Sequence, residues 1–243
     1  MTNDAETASI LVISAHSGDF VWRAGGAIAL STQRASAVHV LCLSFGERGE
    51  SQGLWSRPDM TLERVKEARR AEATAAAAVL GASIEFLDLG DYPLRVDAAA
   101  VDFMVQVLRT RQPDVLLTHV ADDPYNRDHN LAHETTLLTR MVAQAHGHDR
   151  STKPLGASQV LQFEPHQPEV CGFNPDLLLD ITEVFDIKAK AMACMTAQDH
   201  LLRYYTDLGS RRGVQAVRNG APSRVTHAEA YQRTFPTVGS DLR

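Results

Sequence analysis

The amino-acid sequence predicts an α/β protein with a Rossmann-like, mainly parallel sheet and helices on both faces. Two observations predict this fold class. Short apolar, β-branched runs alternate with longer helical patterns through the first half of the chain, which is typical of a parallel sheet wrapped by helices. The strand–helix pair recurs four times in series, as in sheets of the Rossmann type.

Four runs in the first half are predicted to be strands because each is short, apolar and rich in β-branched side chains. These strands are residues 10–14, 38–43, 84–87 and 115–118. The helices that follow them are predicted at 24–34, 61–80, 98–111 and 131–145. Gly81 directly follows the second helix, in the position where glycine commonly ends a helix. Pro113 limits the third helix.

The second half of the chain is less regular. Residues 146–156 are polar and contain Gly and Pro, which indicates an exposed connector rather than a clear domain boundary. Beyond it we predict strands at 158–163 and 177–181 and one or two helices over 184–208. The form of the basic stretch 211–224 stays open. We expect one domain over 1–243, in which 1–145 is a Rossmann-like core with a metal site and 146–243 completes the sheet and the substrate site.

Composition excludes several classes of function. The chain has 243 residues with 24 Lys and Arg against 30 Asp and Glu, a net charge of −6, which argues against a general binder of nucleic acid or anionic membranes. No apolar run approaches the roughly 20 residues of a membrane span, and the first residues are acidic, unlike a signal peptide. Three widely spaced cysteines without a CxxC pair indicate neither disulfides nor a Cys-rich zinc site. We therefore expect a cytoplasmic protein without nucleic-acid or membrane partners.

Polar side chains follow three of the predicted strands. In a doubly wound sheet, ligands bind at the carboxyl ends of the strands, so these loops form the expected site. His16 and Asp19 follow the first strand, Glu47 follows the second, and His129 ends the loop after the fourth. Imidazole and carboxylate oxygen are good zinc donors, and a catalytic zinc commonly takes three protein ligands. His16, Asp19 and His129 can supply that set.

Several segments resemble the zinc-dependent deacetylase family called PIG-L or LmbE-like. ILVISAHSGDFVWRAGG at 10–26 is similar to the family signature, in which a strand is followed by AHPDDE and a Gly-Gly helix start. The resemblance continues in EARRAEA, in QPDVLLTH and in Asp128-His129, and covers about the first 135 residues. It implies an LmbE-like fold, and it implies that His16, Asp19 and His129 are the zinc ligands.

The position of the expected general base departs from the family signature. The first Asp of AHPDDE resembles a general base, and Gly18 stands there in this chain. Since a positioned general base contributes about 10²–10⁴-fold, the departure favours a changed reaction. His129 and His133 have the spacing of the two histidines in HExxH, but Asn130 replaces the Glu, so a metalloprotease is a poor interpretation.

Longer segments resemble one branch of the same superfamily, the 4-oxalomesaconate hydratases of bacterial gallate and protocatechuate degradation. These segments are FEPHQPE, RGVQAVRN, AHSGDFVWRAGG and FGERGES. The resemblance implies a zinc-dependent enzyme that adds water to the tricarboxylate 4-oxalomesaconate, or to its enol tautomer 4-carboxy-2-hydroxymuconate. The product would be 4-carboxy-4-hydroxy-2-oxoadipate.

Three residues are candidates for proton transfer in such a hydration. Glu47 is the first, because a carboxyl beside zinc and shielded from water can have its pKa moved toward neutrality. A surface ion pair with Arg48 is the alternative for Glu47. His166 is the second, since it lies between two prolines in a stiff loop. Asp128 either orients a metal-binding histidine or serves as a base, and the sequence does not separate the two roles.

A substrate with three carboxylates needs cations that bind in a planar, bidentate manner, which is the property of arginine. Because the chain is acidic overall, such cations have to be concentrated locally. The predicted substrate-binding residues are Arg48, Arg127, Arg212 and Arg218, with Tyr125 and Asn126 as neutral hydrogen-bond partners.

Two other functions stay open at this stage. A zinc deacetylase of N-acetylated sugars, in which Asp128 or Glu47 replaces the missing base, would release acetate. A metal-binding scaffold would bind zinc tightly without turnover. Nitrogen and oxygen ligands do not select zinc uniquely, and a closed homo-oligomer is common among metabolic enzymes, but the sequence decides neither point.

Overall fold

Residues 8–239, which the computed structural model describes, contain a seven-stranded sheet with helices packed on both of its faces. The strands β1 to β7 are Ser9–Ser14, Ala37–Cys42, Ser83–Phe86, Val115–Thr118, Gln159–Phe163, Leu177–Asp180 and Ala228–Arg233. The helices α1 to α7 are Asp19–Gln33, Gln52–Trp55, Leu62–Leu80, Ala98–Arg111, Arg127–Gln144, Phe185–Ala193 and Leu201–Arg218. Two short 3-10 helices lie at Thr182–Val184 and Thr196–Gln198.

The strand order confirms the predicted Rossmann-like class. The order across the sheet is β3-β2-β1-β4-β5-β7-β6, and all pairs among the first five strands of that order are parallel. β7 runs antiparallel to both β5 and β6. The order reverses between β1 and β4, and in such sheets ligands bind in the crevice at this point.

Each face of the sheet has its own apolar core, because successive side chains of a strand point to opposite faces. On β1, Val12 packs with residues of α1, α3 and α6. Its neighbours Leu11 and Ile13 pack with residues of α4 and α5. All three side chains are at most 1% exposed. Burial on both faces explains why the parallel strands appear in the sequence as continuous apolar runs.

Two helices begin earlier than the sequence predicts. α1 begins at Asp19 rather than at residue 24, and α5 begins at Arg127 rather than at residue 131. The apolar periodicity on which the predictions rest starts only after a polar first turn in each helix. The correction places Asp19 and His129 in first helical turns instead of loops.

The C-terminal part differs from prediction in two places. The basic stretch 211–224, whose form was open, continues α7 as far as Arg218. β7 lies outside the predicted strands because its sequence, AEAYQR, includes a charged residue that is nevertheless buried. That residue, Glu229, is 5% exposed.

Glu229 connects β7 to the middle of α1. Its carboxylate accepts hydrogen bonds from the backbone N–H groups of Gly26 at 2.7 Å and Ala27 at 2.8 Å. Lys188 Nζ donates to the same carboxylate at 2.7 Å. The close approach depends on Gly26, because a Cβ there would lie 2.7 Å from side-chain carbons of Ile181. The glycine pair thus permits tight packing between α1 and the C-terminal part.

No helix within residues 8–239 combines the length and apolar character needed to cross a membrane.

We expect Gly26→Ala to lower the free energy of unfolding by about 1–3 kcal/mol, the usual cost of overpacking a buried site. Gly25→Ala is the matched control, because a Cβ at Gly25 would meet Lys188 Cγ at 3.3 Å, and alanine favours the helix by about 0.5–1 kcal/mol. Denaturant unfolding of both variants measures the difference. Equal stabilities of the two variants would contradict the account of this contact.

Candidate metal centre and active-site cavity

Three predicted ligands meet at the carboxyl end of β1. Ligand atoms of His16, Asp19 and His129 all lie within 4.8 Å of one another, and each residue is at most 6% exposed. His16 follows β1, Asp19 begins α1, and His129 lies in the first turn of α5. The strand ends and helix starts of the sheet edge therefore bring the three side chains together.

The donor atoms of this group fit a divalent metal ion. His16 Nδ1 and His129 Nε2 are buried and have no hydrogen-bond partner within the described chain. Asp19 Oδ2 lies 3.2 Å from His16 Nδ1, and Asp19 Oδ1 lies 3.5 Å from His129 Nε2. Two unpaired imidazole nitrogens facing one carboxylate match the donor types of two-histidine, one-carboxylate metal sites.

A carboxylate holds the far nitrogen of each histidine. His129 Nδ1 lies 2.8 Å from Asp123 Oδ2, and His16 Nε2 lies 3.2 Å from Asp128 Oδ2. Such carboxylates fix the ring orientation and the tautomer of a metal-binding histidine. Both rings therefore present their remaining nitrogen toward Asp19.

The carboxylate of Asp128 has three hydrogen-bond partners within the described residues. Besides His16, it accepts hydrogen bonds from the backbone N–H groups of Tyr92 and Leu94, both at 2.9 Å. Burial alone would raise the pKa of Asp128, but the hydrogen bonds from His16 and the two backbone groups lower it below its ordinary value. Of its two predicted roles, the geometry favours orienting His16 over acting as a base.

Without a metal ion, the surroundings of His16 favour its protonated form. Burial lowers the pKa of this imidazole, but its hydrogen bond to Asp128 and the nearby negative charge of Asp19 outweigh burial and raise the pKa to about 10. A metal ligand must be deprotonated, so metal binding would release this proton. Acid should therefore weaken metal binding.

A cavity of about 280 Å³ opens over this group. Asp19 and His129 line it, and the other walls come from α1, the loops after β2, β3, β4 and β5, the second 3-10 helix and the start of α7. Its further lining includes Trp22, Arg23, Glu50, Tyr92, Asp123, Tyr125, Asn126, His166, Gln198, His200 and Tyr205.

Glu50 is the carboxylate that the loop after β2 presents to the cavity. Its Oε1 accepts hydrogen bonds from Tyr92 Oη at 3.0 Å and from Asn126 Nδ2 at 3.1 Å. Its Oε2 accepts a hydrogen bond from Gln198 Nε2 at 2.9 Å. Three donors from three different segments thus fix this carboxylate on the cavity wall.

Gln198 occupies the space next to Gly18. Its Oε1 accepts hydrogen bonds from Arg69 Nη2 at 2.7 Å and from Trp22 Nε1 at 3.5 Å. Because two donors hold the amide oxygen, the amide nitrogen must face Glu50. A Cβ at Gly18 would lie 2.7 Å from Gln198 Oε1. A carboxylate side chain at position 18 and this arrangement of Gln198 are therefore incompatible.

The position of Glu47 corrects the prediction that it acts as acid or base in the cavity. Glu47 is fully buried and does not line the cavity. Its carboxylate accepts hydrogen bonds from Phe45 N at 3.3 Å and from Arg48 Nη1 at 3.4 Å. The chain turns at Gly46, where φ is +67°, and Glu50, four residues after this glycine, lines the cavity instead. The sequence signal was present, since FGERGES contains both glutamates.

His166 lies on the cavity wall, as expected for a proton donor. Its ring stacks on Tyr204 with 4.2 Å between the centroids, which holds it in the loop after β5. Burial, and next the positive charge of Arg23, lower the pKa of His166. The imidazole is therefore mainly neutral at pH 7 in the free protein.

The four predicted arginines lie outside the cavity, which corrects their assignment. Arg127 and Arg218 are exposed, and the side chain of Arg48 is 50% exposed beside Glu47 and Asp91. Arg212 binds the carboxylate of Glu164 through two of its nitrogens. A buried carboxylate partner, which the sequence did not identify, explains the position of Arg212.

The two neutral partners predicted beside the metal loop, Tyr125 and Asn126, do line the cavity. The sequence analysis missed Arg23, which also lines it. A usable signal was the spacing of Arg23 from Asp19, because residues four apart share a helix face.

Comparisons with known proteins agree with this geometry. A profile of the PIG-L family, described as GlcNAc-PI de-N-acetylase, matches residues 11–139. The chain is 52% identical over 237 residues to a 4-oxalmesaconate hydratase from Pseudomonas putida, which covers 96% of this chain and 92% of that protein.

Solved structures show the same fold. The crystal structure of GalB, the 4-carboxy-2-hydroxymuconate hydratase from Pseudomonas putida KT2440, superimposes with a TM-score of 0.95 at 51% identity, over 97% of this chain and 100% of that chain. An N,N'-diacetylchitobiose deacetylase from Pyrococcus horikoshii has a TM-score of 0.77 at 19% identity, over 93% and 84% of the two chains. The latter likeness concerns the fold alone.

We expect Asp128→Asn to weaken the binding of a divalent metal by about 10- to 100-fold, the usual effect of losing a carboxylate that orients a ligating histidine. Titration with Co²⁺, followed by its visible absorption, measures the affinity. Asp102→Asn, an exposed change on α4, is the control, and thermal unfolding checks the fold of both variants. Wild-type affinity in a folded Asp128→Asn protein would contradict the orienting role.

Proposed function

The chain belongs to the PIG-L family, and we propose that it is a metal-dependent hydratase that converts 4-oxalomesaconate, or its enol tautomer 4-carboxy-2-hydroxymuconate, to 4-carboxy-4-hydroxy-2-oxoadipate. The likeness to the Pseudomonas putida hydratase, in sequence and in structure and over nearly the whole of both chains, supports this substrate. The observation on which the proposal rests is the cavity, in which Glu50 and His166 share one space with the His16, Asp19 and His129 group.

The surroundings of Gly18 argue against de-N-acetylation, the activity in the family description. Hydrolysis of an amide requires a base that activates water beside the metal, and position 18 has no side chain. Gln198 and Trp22 fill the space that a carboxylate there would need. The chain therefore has no base at the position of the family signature.

We propose zinc as the metal held by His16, Asp19 and His129, since these donor types suit zinc. When bound, it would supply positive charge and Lewis acidity at the base of the cavity, where water or a substrate oxygen is polarised. Everything else in the reaction is assigned to side chains of the chain itself.

Glu50 is suited to accept the proton of the attacking water. Its carboxylate faces the cavity and is held by Tyr92, Asn126 and Gln198, so it can orient a water molecule without moving. In the addition, one O–H bond of water breaks and its proton passes to Glu50. The new C–O bond forms on one carbon of the conjugated double bond.

His166 is suited to give the second proton. The carbon next to the hydroxylated one must gain a proton and become CH₂, and His166 places an imidazole on the wall of the same cavity as Glu50. The imidazole is mainly neutral in the free protein, but a nearby anion favours its charged form. A tricarboxylate that enters the cavity would therefore raise the pKa of His166 and favour the protonated imidazole that donates the proton. Proton exchange with solvent after product release restores both groups.

We further propose that the reaction belongs to bacterial breakdown of gallate or protocatechuate in the cytoplasm, with a small tricarboxylate as partner. All three cysteines are free thiols, which fits a reducing compartment.

Hydration is tested by following the ultraviolet absorbance of 4-carboxy-2-hydroxymuconate, whose conjugation is lost when water adds. We expect absorbance to fall with zinc-loaded protein and to stay constant after removal of the metal, with recovery when zinc is restored. Acetate release from an N-acetylated sugar, measured on the same preparations, is the opposing assay. Acetate release without loss of the chromophore would overturn the hydratase in favour of a deacetylase.

Substitution of the two cavity residues tests their roles. We expect Glu50→Gln and His166→Gln each to lower kcat by about 10²–10⁴-fold, the usual contribution of a positioned acid or base. Glu47→Gln, outside the cavity, should lower kcat by less than about tenfold. Steady-state kinetics with metal content checked for each variant gives the comparison. A larger loss in Glu47→Gln than in Glu50→Gln would restore the assignment predicted from sequence.

A further inference from the structure

We infer that Arg23 forms a carboxylate-binding subsite in the cavity and selects for ligands with an additional carboxylate. The identity of the substrate rests on the proposed function, but the subsite itself is argued from the geometry around Arg23. Neither the family signature nor the predicted arginines point to this residue.

Arg23 is placed by the start of α1. It follows Asp19 by four residues, so both side chains point from the same helix face toward the cavity. The residue is 8% exposed. Trp22 and Tyr205, whose rings stack with 5.6 Å between their centroids, line the cavity beside it.

The guanidinium has donors to spare. Nη1 donates a hydrogen bond to the backbone oxygen of Glu164 at 3.1 Å. Nε lies 3.4 Å from Asp19 Oδ1 but is buried without a hydrogen-bond partner in the described chain. A guanidinium has five N–H donors and stays charged at all ordinary pH values. A buried, incompletely paired arginine at a cavity wall suits a carboxylate ligand, which accepts two parallel N–H bonds.

The charges that line the cavity explain why Arg23 would select ligands with an additional carboxylate. Among its lining residues within the described chain, Arg23 is the one arginine or lysine, whereas Asp19, Glu50 and Asp123 are acidic. Asp19 and Asp123 face histidines, so part of their charge is already compensated. A ligand with three carboxylates would meet repulsion from Glu50 unless a fixed cation binds one of its groups. Arg23 supplies that cation at a wall rather than at the metal group.

The alternative role of Arg23 is structural. Its bond to the oxygen of Glu164 stabilises the loop that carries His166, and loss of that bond would lower kcat by misplacing the imidazole. A carboxylate subsite instead predicts a change in ligand affinity that depends on the number of carboxylates. The two roles therefore separate in binding rather than in turnover.

The test compares tricarballylate, which has three carboxylates, with glutarate, which lacks the central one. Isothermal titration calorimetry on the zinc-loaded protein gives both dissociation constants. For Arg23→Met we expect tricarballylate to bind about 10- to 100-fold more weakly, as for loss of a charge-assisted hydrogen bond, with a much smaller change for glutarate. Arg23→Lys should recover part of the lost affinity, because lysine restores the positive charge but not the planar guanidinium that binds a carboxylate through two N–H groups. Arg34→Met, at the exposed far end of α1, is the matched control.

The possible outcomes separate failure of the carboxylate subsite from failure of the proposed hydratase. Equal weakening of both ligands in Arg23→Met, or none, overturns the subsite, and a wild-type protein that binds neither ligand at millimolar concentration also overturns it. If Arg23→Met is unfolded by thermal analysis, Arg23→Gln, which also removes the charge, gives the same comparison. Hydration by the wild type with unchanged KM in Arg23→Met leaves the hydratase standing and removes the subsite. Carboxylate-dependent binding without any hydration leaves the subsite standing and removes the hydratase.

Discussion

The arrangement on which the site depends is a pair of imidazole nitrogens held against one buried carboxylate at the point where the strand order reverses. An unpaired buried polar group costs about 1–3 kcal/mol, and His16 Nδ1 and His129 Nε2 are both buried without hydrogen-bond partners. The fold maintains them because Asp128 and Asp123 hold the opposite nitrogens. The first turns of α1 and α5, the loop at Tyr92 and the edges of β1 and β4 are thereby tied to one centre.

The loss of a carboxylate at position 18 distinguishes this cavity from the family signature. With Gly18 in place of a carboxylate, Gln198 enters the vacated space and is fixed there by Arg69 and Trp22. Gln198 in turn donates to Glu50, so the carboxylate of the cavity sits on a different loop from the one in the signature. Glu50 lines the cavity together with His166, and these are the two groups that the proposed addition to a double bond would use as base and acid.

The sequence predicts the sheet and the metal group well because both leave local signals. Apolar β-branched runs mark the parallel strands, and the polar residues after them mark the carboxyl edge. The choice between Glu47 and Glu50 depends on a turn at Gly46 that the sequence does not specify. Arg23 lies just before the predicted start of the first helix at residue 24, and only the observed start of α1 at Asp19 shows that the two residues share a helix face.

The sequence also does not show which residues far apart in the chain pair with each other. Arg212 and Glu164 are 48 residues apart and pair only after folding, so an arginine predicted to bind substrate is engaged elsewhere. Glu229 is buried in β7 because Lys188 and backbone groups of α1 satisfy it. A charged residue in the sequence is therefore expected to be exposed only where the folded chain gives it no partner. The tertiary structure, and not the sequence, shows which charged residues have a partner.

The most direct test of the account is a crystal structure of the zinc-loaded protein with tricarballylate bound. We expect zinc on His16, Asp19 and His129, a ligand carboxylate on Arg23, and Glu50 facing the ligand with Gln198 beside Gly18. Zinc on other residues, or Glu47 rather than Glu50 turned toward the ligand, would contradict the account.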